Sequence, residues 1–244
     1  MGVIIYNGKS SEELGIRIAR FPDYTMPERV YENVHVPGKN GDVVMDTGTF
    51  NNVNREYDIS VPALNNDYYR TIDQISKWLH SSSGYARLED TYDQEHYRMA
   101  IYKESSTIEN LFNEAGQATI AFECKPQRYY KVGDVPVLCT SSRVIFNHTG
   151  FVSLPIMVVK INRNVTGTIT INGKQITIKE QDISDTLDIT IDSEVQDAYS
   201  GTLNMNSMIS TTDGEFPKLD PGNNNISFSG GIVNVKIMPR WWTI

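Results

Sequence analysis

The chain is poor in the residues by which reactive chemistry usually shows itself. Its 244 residues include two cysteines, Cys124 and Cys139, and four histidines, His35, His80, His96 and His148. Two cysteines without a C-x-x-C pair are too few for a disulfide framework. Two buried free thiols, in a chain made in a reducing cytosol, are the expectation. No two histidines stand at H-x-x-x-H or H-E-x-x-H spacing, whereas zinc needs three or four converging ligands. There is no G-x-S-x-G, and neither cysteine sits in a catalytic motif. Basic residues are outnumbered, 22 against 30 acidic, for a formal charge of −8, and they do not cluster. Phosphate contacts supply most of the affinity for nucleic acid, so a DNA-gripping face is excluded. Mild acidity suits a surface that DNA slides past. No segment approaches the ~18 apolar residues of a membrane span, and none is expected to insert in a membrane. The opening MGVIIYNGKSSEEL lacks the length and the basic flank of a signal peptide.

What is present is a folding chain. At 39% hydrophobic and 21% charged it can bury a real core. Its length exceeds the commonest domain size of roughly 100–150 residues, so one large domain or two modest ones are allowed. The dominant period is two. QATIAFE at 117–123, TGTITINGKQITI at 166–178, TLDITI at 186–191 and GIVNVKIM at 231–238 are short, β-branched and bounded by turn residues, as antiparallel strands are. An all-β chain is expected.

The glycine-rich stretch VPGKNGDVVMDTG at 36–48 could be a phosphate cradle or the bend of a hairpin. A cradle needs Lys followed by Ser or Thr at a helix start. Lys39 has neither, and Val43-Val44-Met45 favours strand. Asn40-Gly41, like Asn172-Gly173, is a pair that tolerates positive φ at both centres of a type I′ turn, so each predicts a tight hairpin. One segment departs from the β period. In LNNDYYRTIDQISKWLH, Tyr68, Ile72, Ile75 and Leu79 recur at steps of three and four, which predicts one amphipathic helix near 65–81 packed on a sheet. Asn66 or Asp67 would cap it, Ser81 to Gly84 would end it, and Trp78 would join the core. Gly133 and Pro136 interrupt the pattern after QATIAFECKP. The resulting division is residues 1–131, strands plus the helix, and 132–244, strands only.

The densest acidic stretch carries Asp182, Asp185, Asp188, Asp192, Glu194 and Asp197. It lacks the carboxylate spacing and glycine of a calcium loop, and Asp188 and Asp192, flanking Ile189 and Ile191, suit the wet face of a strand. Spacing gives paired carboxylates for glycoside hydrolysis no support. No catalytic, cofactor-binding or metal-binding residue is therefore assigned, no cofactor is expected, and the chain reads as a protein that binds or builds rather than an enzyme.

Several segments, in order, resemble the distal tail proteins of long-tailed, non-contractile phages. They are the opening VIIYNGKSSEELGIRI, the hairpin VHVPGKNGDVVMDTGTFNNVNREYDISV, SKWLHSSSGYARLEDTYDQEHYRMAIY, and GQATIAFECKPQRYY. In the second half VSLPIMVVKINRN, TITINGKQITI, ITIDSEVQDAY, FPKLDPGNNNISFSG and PRWW resemble the family's galectin-like terminal domain. The resemblance implies a β-sandwich N-terminal domain with a helix and a hairpin arm, and a galectin-like β-sandwich C-terminal domain. It implies a virion structural protein, made in the host bacterial cytoplasm and placed at the distal end of a siphophage tail. There it would form a homo-hexameric ring joining the major tail or tube protein to a tail-associated lysin or tail fibre hub, with a receptor-binding protein as a further partner. DNA would pass through the lumen without specific binding. A ring of head-to-tail contacts needs two different complementary patches per protomer, and the hairpin at Asn40-Gly41 is the candidate for one. The alternative is a carbohydrate-binding module for host cell-wall glycans. It would need an exposed aromatic platform, and of Trp241 and Trp242 one should face the core.

Overall fold

Alternating apolar and polar side chains leave most of the chain able to bury only one face of an extended strand, and that is how it folds. The computed structural model describes residues 2–62, 68–103, 109–111, 115–180 and 185–244. Their contacts divide the chain into two compact units, one running to Arg128 together with Ile244, the other from Tyr129 to Thr243.

In unit 1 the strands are β1 (Ile4–Tyr6), β2 (Lys9–Ser10), β3 (Arg17–Ile18), β4 (Arg29–Val34), β5 (Val43–Phe50), β6 (Val53–Pro62), β7 (Ala86–Asp90), β8 (His96–Ile101), β9 (Glu109–Leu111) and β10 (Ala115–Tyr130), with the helix α1 at Tyr68–Leu79. A main sheet runs β2-β1-β7-β8-β10-β6-β3, with β9 also on β10. An isolated antiparallel bridge between Gly2 and Ile18 brings the β3 edge back beside the start of β1. The sheet thereby folds back on itself. Inside lie Ile4, Tyr6, Tyr57, Ile59, Ile120 and Phe122, and α1 closes the core with Ile75, Trp78 and Leu79. Thr71 is buried on the same side and Ile72 only partly, so the buried stripe is rotated slightly from the 72–75–79 line. The Trp78 indole N–H donates to the Tyr6 carbonyl at 3.3 Å, which satisfies a polar atom inside the core. The expected cap residues Asn66 and Asp67, and the side chain of Tyr68, lie outside the described residues.

Unit 2 continues with β11 (Val137–Cys139), β12 (Arg143–Asn147), β13 (Ile156–Asn162), β14 (Gly167–Ile171), β15 (Lys174–Ile178), β16 (Thr186–Asp192), β17 (Asp197–Ser200), β18 (Leu203–Asn204), β19 (Ile209–Thr211), β20 (Gly222–Gly230), β21 (Ile232–Met238) and β22 (Trp242–Thr243). Two sheets, β11-β21-β13-β16-β17-β18 and β12-β20-β14-β15-β19, share one core. Met157, Val159 and Ile161 of β13, Ile189 and Ile191 of β16, and Val235 and Ile237 of β21 come from the first; Ile169, Ile171, Ile176, Ile178 and Ile226 come from the second. Each set is spaced by two, so one strand face is dry and the other wet. Asn172 and Gly173 both take positive φ, 50° and 87°, and Ile171 pairs with Lys174 across them. That is the expected two-residue I′ turn.

Asp188 is exposed, as expected, but Asp192 is not on the wet face. It is buried and accepts from Arg240 Nη1 and Nη2, at 2.7 and 2.9 Å. Asp182 lies outside the described residues. Both cysteines are free and buried, and burial pushes the Cys124 thiol up to about 12.

Candidate assembly surface

Between β3 and β6 the chain leaves the body of unit 1 and makes a ribbon of its own. Strands β4 and β5 pair only with each other among the described residues. The register sets Tyr31 opposite Asp46, Glu32 opposite Met45, Asn33 opposite Val44 and Val34 opposite Val43. Opposed residues share a face. One face therefore presents Tyr31, Asn33, Val44 and Asp46, and the other Glu32, Val34, Val43 and Met45. Both carry apolar side chains in water: Tyr31 is 54% exposed, Val44 59% and Met45 54%. A lone two-stranded ribbon is marginal in water, and among the described residues this one has no covered face and two unpaired backbone edges.

The turn differs from the one expected. The tip runs over residues 35–42, and Lys39 N–H donates to the Val36 carbonyl at 3.1 Å. Gly38 takes φ 81°, while Asn40 is not among the positive-φ residues. Pro37-Gly38 are thus the centres of a type II turn. Proline pre-sets φ at the first position and glycine accepts positive φ at the second, so the pair overrides Asn40-Gly41 downstream. The Lys39 stretch lies in this exposed tip, with no helix after it.

The ribbon is stiffened from within. Arg29 clasps Asp46 through Nε at 3.0 Å and through Nη2; hydrogen bonding to Arg29 and the Gly48 amide lowers the Asp46 carboxyl. Thr47 Oγ1 donates to the Val30 carbonyl at 2.8 Å, beside a register shift between Arg29 and Tyr31. His35 Nδ1 stands 3.2 Å from Asp42 Oδ1.

Its roots are fixed to unit 1. Arg20 Nε meets Asp58 at 2.5 Å, Arg55 Nη1 donates to the Asp23 carbonyl at 2.6 Å, and Arg128 Nη1 to the Tyr24 hydroxyl at 3.2 Å. On the return side Asn51 N–H donates to the Glu28 carbonyl at 2.8 Å, and Asn52 Nδ2 reaches Glu123 and Tyr85 at 3.0 and 2.7 Å. A well-anchored base under an uncovered arm is what an element that docks elsewhere requires. The strap leading into it adds exposed Phe21, Tyr24 and Met26. Nothing in the sequence marked these side chains as uncovered, because Val43-Val44-Met45 reads like any half-buried strand.

One anchor titrates. Burial acts to raise the Asp93 carboxyl, but hydrogen bonds from His96 and from Arg128, the residue that also holds Tyr24, outweigh it and keep the group below the usual carboxylate range. The folded carboxyl binds its proton less readily than the unfolded one. Its contribution is therefore complete above about pH 4 and disappears as pH falls through the lowered folded value. Asp93→Asn is expected to make the acid limb of a stability-against-pH curve shallower.

The histidines are not gathered. His80 Nδ1 faces the Ser76 carbonyl at 2.9 Å, His96 Nδ1 faces Asp93 at 2.6 Å, and the His148 ring packs on Tyr130 and Trp241. Among the described residues no three His, Cys, Asp or Glu side chains stand together in a metal-holding arrangement. No helix is long and apolar enough to cross a membrane. Trp241 is buried, and Trp242 stacks on Phe151 at 4.3 Å while donating to the Val152 carbonyl at 2.9 Å.

No protein-family model matches the sequence, and no curated protein is significantly similar to it. Solved structures are similar. SPP1 Dit (gp 19.1), described as a paradigm of the hub adsorption apparatus in phages infecting Gram-positive bacteria, superposes with a TM-score of 0.76 at 14% identity, covering 100% of both chains. A chain of the phage P2 baseplate in its activated conformation with Ca gives 0.57 at 12% identity, covering 97% of both chains. The corresponding structure with Sr gives 0.55 at 11%, covering 97% of this chain and 96% of that one. From one end to the other, this chain has the fold of SPP1 Dit.

Proposed function

We propose that the protein is a structural component of a phage tail: a distal tail protein that forms a hexameric ring at the tail end. The ring would join the tail tube to the baseplate, with a tail-associated lysin or fibre hub as neighbour, and DNA would cross its lumen without specific binding. Units 1 and 2 would be the ring-forming and galectin-like domains. The protein is not assigned an enzymatic role.

The observation that carries this reading is the arm. A ribbon with apolar groups on both faces, rooted firmly in unit 1, needs a surface outside its own subunit. A heterologous contact, arm of one copy on the body of the next, closes into a ring when the rotation divides the circle. The fold shared with SPP1 Dit supports the same reading. A glycan-binding role gains nothing from the two second-unit tryptophans, since one is buried and the other already stacked on Phe151.

Negative-stain images of the purified chain, with mass photometry at increasing concentration, test it. Six-fold rings with a central hole are expected. A chain that stays monomeric even beside a tail-tube protein and a baseplate hub overturns the proposal.

A further inference from the structure

A cleft of about 170 Å³ in unit 1 lies at the roots of the ribbon, and one of its buried guanidinium nitrogens meets none of its carboxylates. Arg55, Arg98 and Arg128 line it, as do Glu89, Asp90 and Asp93. The exposed rings of Phe21 and Tyr24 also line it, so it is open to solvent on that side.

All three carboxylates are already engaged. Asp90 Oδ2 accepts from Arg55 Nη2 at 3.1 Å and from the Tyr57 hydroxyl at 2.7 Å, while its Oδ1 accepts the Tyr92 and Asp93 amides at 2.8 and 3.0 Å. Asp93 Oδ2 accepts Arg128 Nε and Nη2 at 3.1 and 2.8 Å, and its Oδ1 faces His96. Glu89 is held by Arg87 Nε at 2.5 Å. The Arg98 guanidinium takes part in none of these bonds. Arg98, on β8, is 8% exposed, and its Nη1 has no hydrogen-bond partner among the described residues. Its guanidinium carbon lies 5.6 Å from the centre of the Tyr24 ring, a contact that meets the charge only weakly.

A lysine in this position could shed its proton, but an arginine cannot. A buried donor without an acceptor is costly, and a planar fork of N–H groups fits two oxygens of one oxyanion. The volume is well below the ~300 Å³ at which pockets for drug-sized ligands begin, so a small group fits. We propose that this cleft is an oxyanion site, in which Arg98 receives a carboxylate or phosphate group that enters beside Tyr24. The inference does not depend on the tail reading.

Inorganic phosphate and acetate are titrated separately into the full chain at constant ionic strength, following the Arg98 side-chain N–H signal by NMR and the melting temperature, with Arg98→Met alongside. A saturable shift of the Arg98 signal is expected. At a hundredfold excess over half-saturation, the unsubstituted protein should gain about 5 °C or more beyond any gain in Arg98→Met. Ordinary salting-out stabilises both proteins equally, so an equal rise in both, or no saturation by either anion, overturns the site. If Arg98→Met fails to fold, the NMR titration of the unsubstituted chain decides alone. A stronger response to acetate, together with an Arg98 signal already shifted in assembled rings without added anion, identifies a carboxylate of a second copy. A stronger response to phosphate, with no shift on assembly, identifies a free phosphate-like anion. Either result keeps the site.

Discussion

Excising residues 29–50 and joining Glu28 to Asn51 through an Asn-Gly pair is expected to abolish ring formation while leaving the melting temperature nearly unchanged. The two ends are already adjacent, since Asn51 N–H donates to the Glu28 carbonyl at 2.8 Å, and an Asn-Gly pair closes such a gap as a I′ turn. Little of the core is lost, because none of Tyr31, Val34, Val43, Val44 and Met45 is buried in the subunit. Those same five side chains are what assembly would cover. Being half-buried already, each would contribute about 1 kcal/mol on docking. Their loss together weakens each subunit contact by more than about a thousandfold, before any backbone pairing along the free edges is counted. Mass photometry reads the result directly. A ring that persists without the arm would move the contact elsewhere on unit 1. A melting temperature that drops by ten degrees or so would mean that the ribbon packs on its own body.

The same dipeptide shows how far sequence reasoning reaches. Asn172-Gly173 makes its two-residue turn because strands of opposite hydrophobic alternation abut it on both sides. Asn40-Gly41 does not, because Pro37-Gly38 three residues earlier has already reversed the chain. Local chemistry was sufficient at the first site and outcompeted at the second. The helix was legible for similar reasons: Ile75 and Leu79 share a stripe that any sheet would cover, and Trp78 joined them in the core. What periodicity does not encode is partnership between distant segments. No pattern announced that Ile18 would bridge Gly2 and turn the sheet back on itself, or that β10 would run for 16 residues through AGQATIAFECKPQRYY. Nor does a strand pattern distinguish a covered face from one left for another molecule, which is why the arm could be anticipated as a hairpin but not as a bare one. The cleft at Arg98 was invisible for the same reason, since Asp93 and Arg128 meet across 35 positions.

Arg240→Ala is expected to cost unit 2 about 3–5 kcal/mol, the amount typical of breaking one side of a buried ion pair. Asp192 sits at the end of β16 and is 7% exposed, so removing the guanidinium leaves its carboxylate inside without the two bonds that now neutralise it. Arg240 also reaches Glu194 at 3.4 Å. Burial, with Glu194 nearby, raises the Tyr129 hydroxyl and Arg240 opposes that rise, so the tyrosine would move further upward in the variant. Backbone contacts hold the residue in place independently of its charge: its N–H donates to the Gly133 carbonyl at 2.9 Å, and its carbonyl accepts from Ser153 Oγ at 2.8 Å. The side chain can therefore be altered without releasing the PRWW turn, whose Trp241 lies in the core. That separation makes the origin of the cost testable by denaturant unfolding. If the loss comes from an orphaned carboxylate, Arg240→Met combined with Asp192→Leu should recover most of it, because an apolar pair of similar volume has no desolvation to offset. Arg240→Lys should fall between, keeping the charge but losing the fork that meets both carboxylate oxygens. If the double variant is as unstable as Arg240→Ala, the pair contributes shape rather than charge, and its packing against the 129–133 segment becomes the quantity to measure.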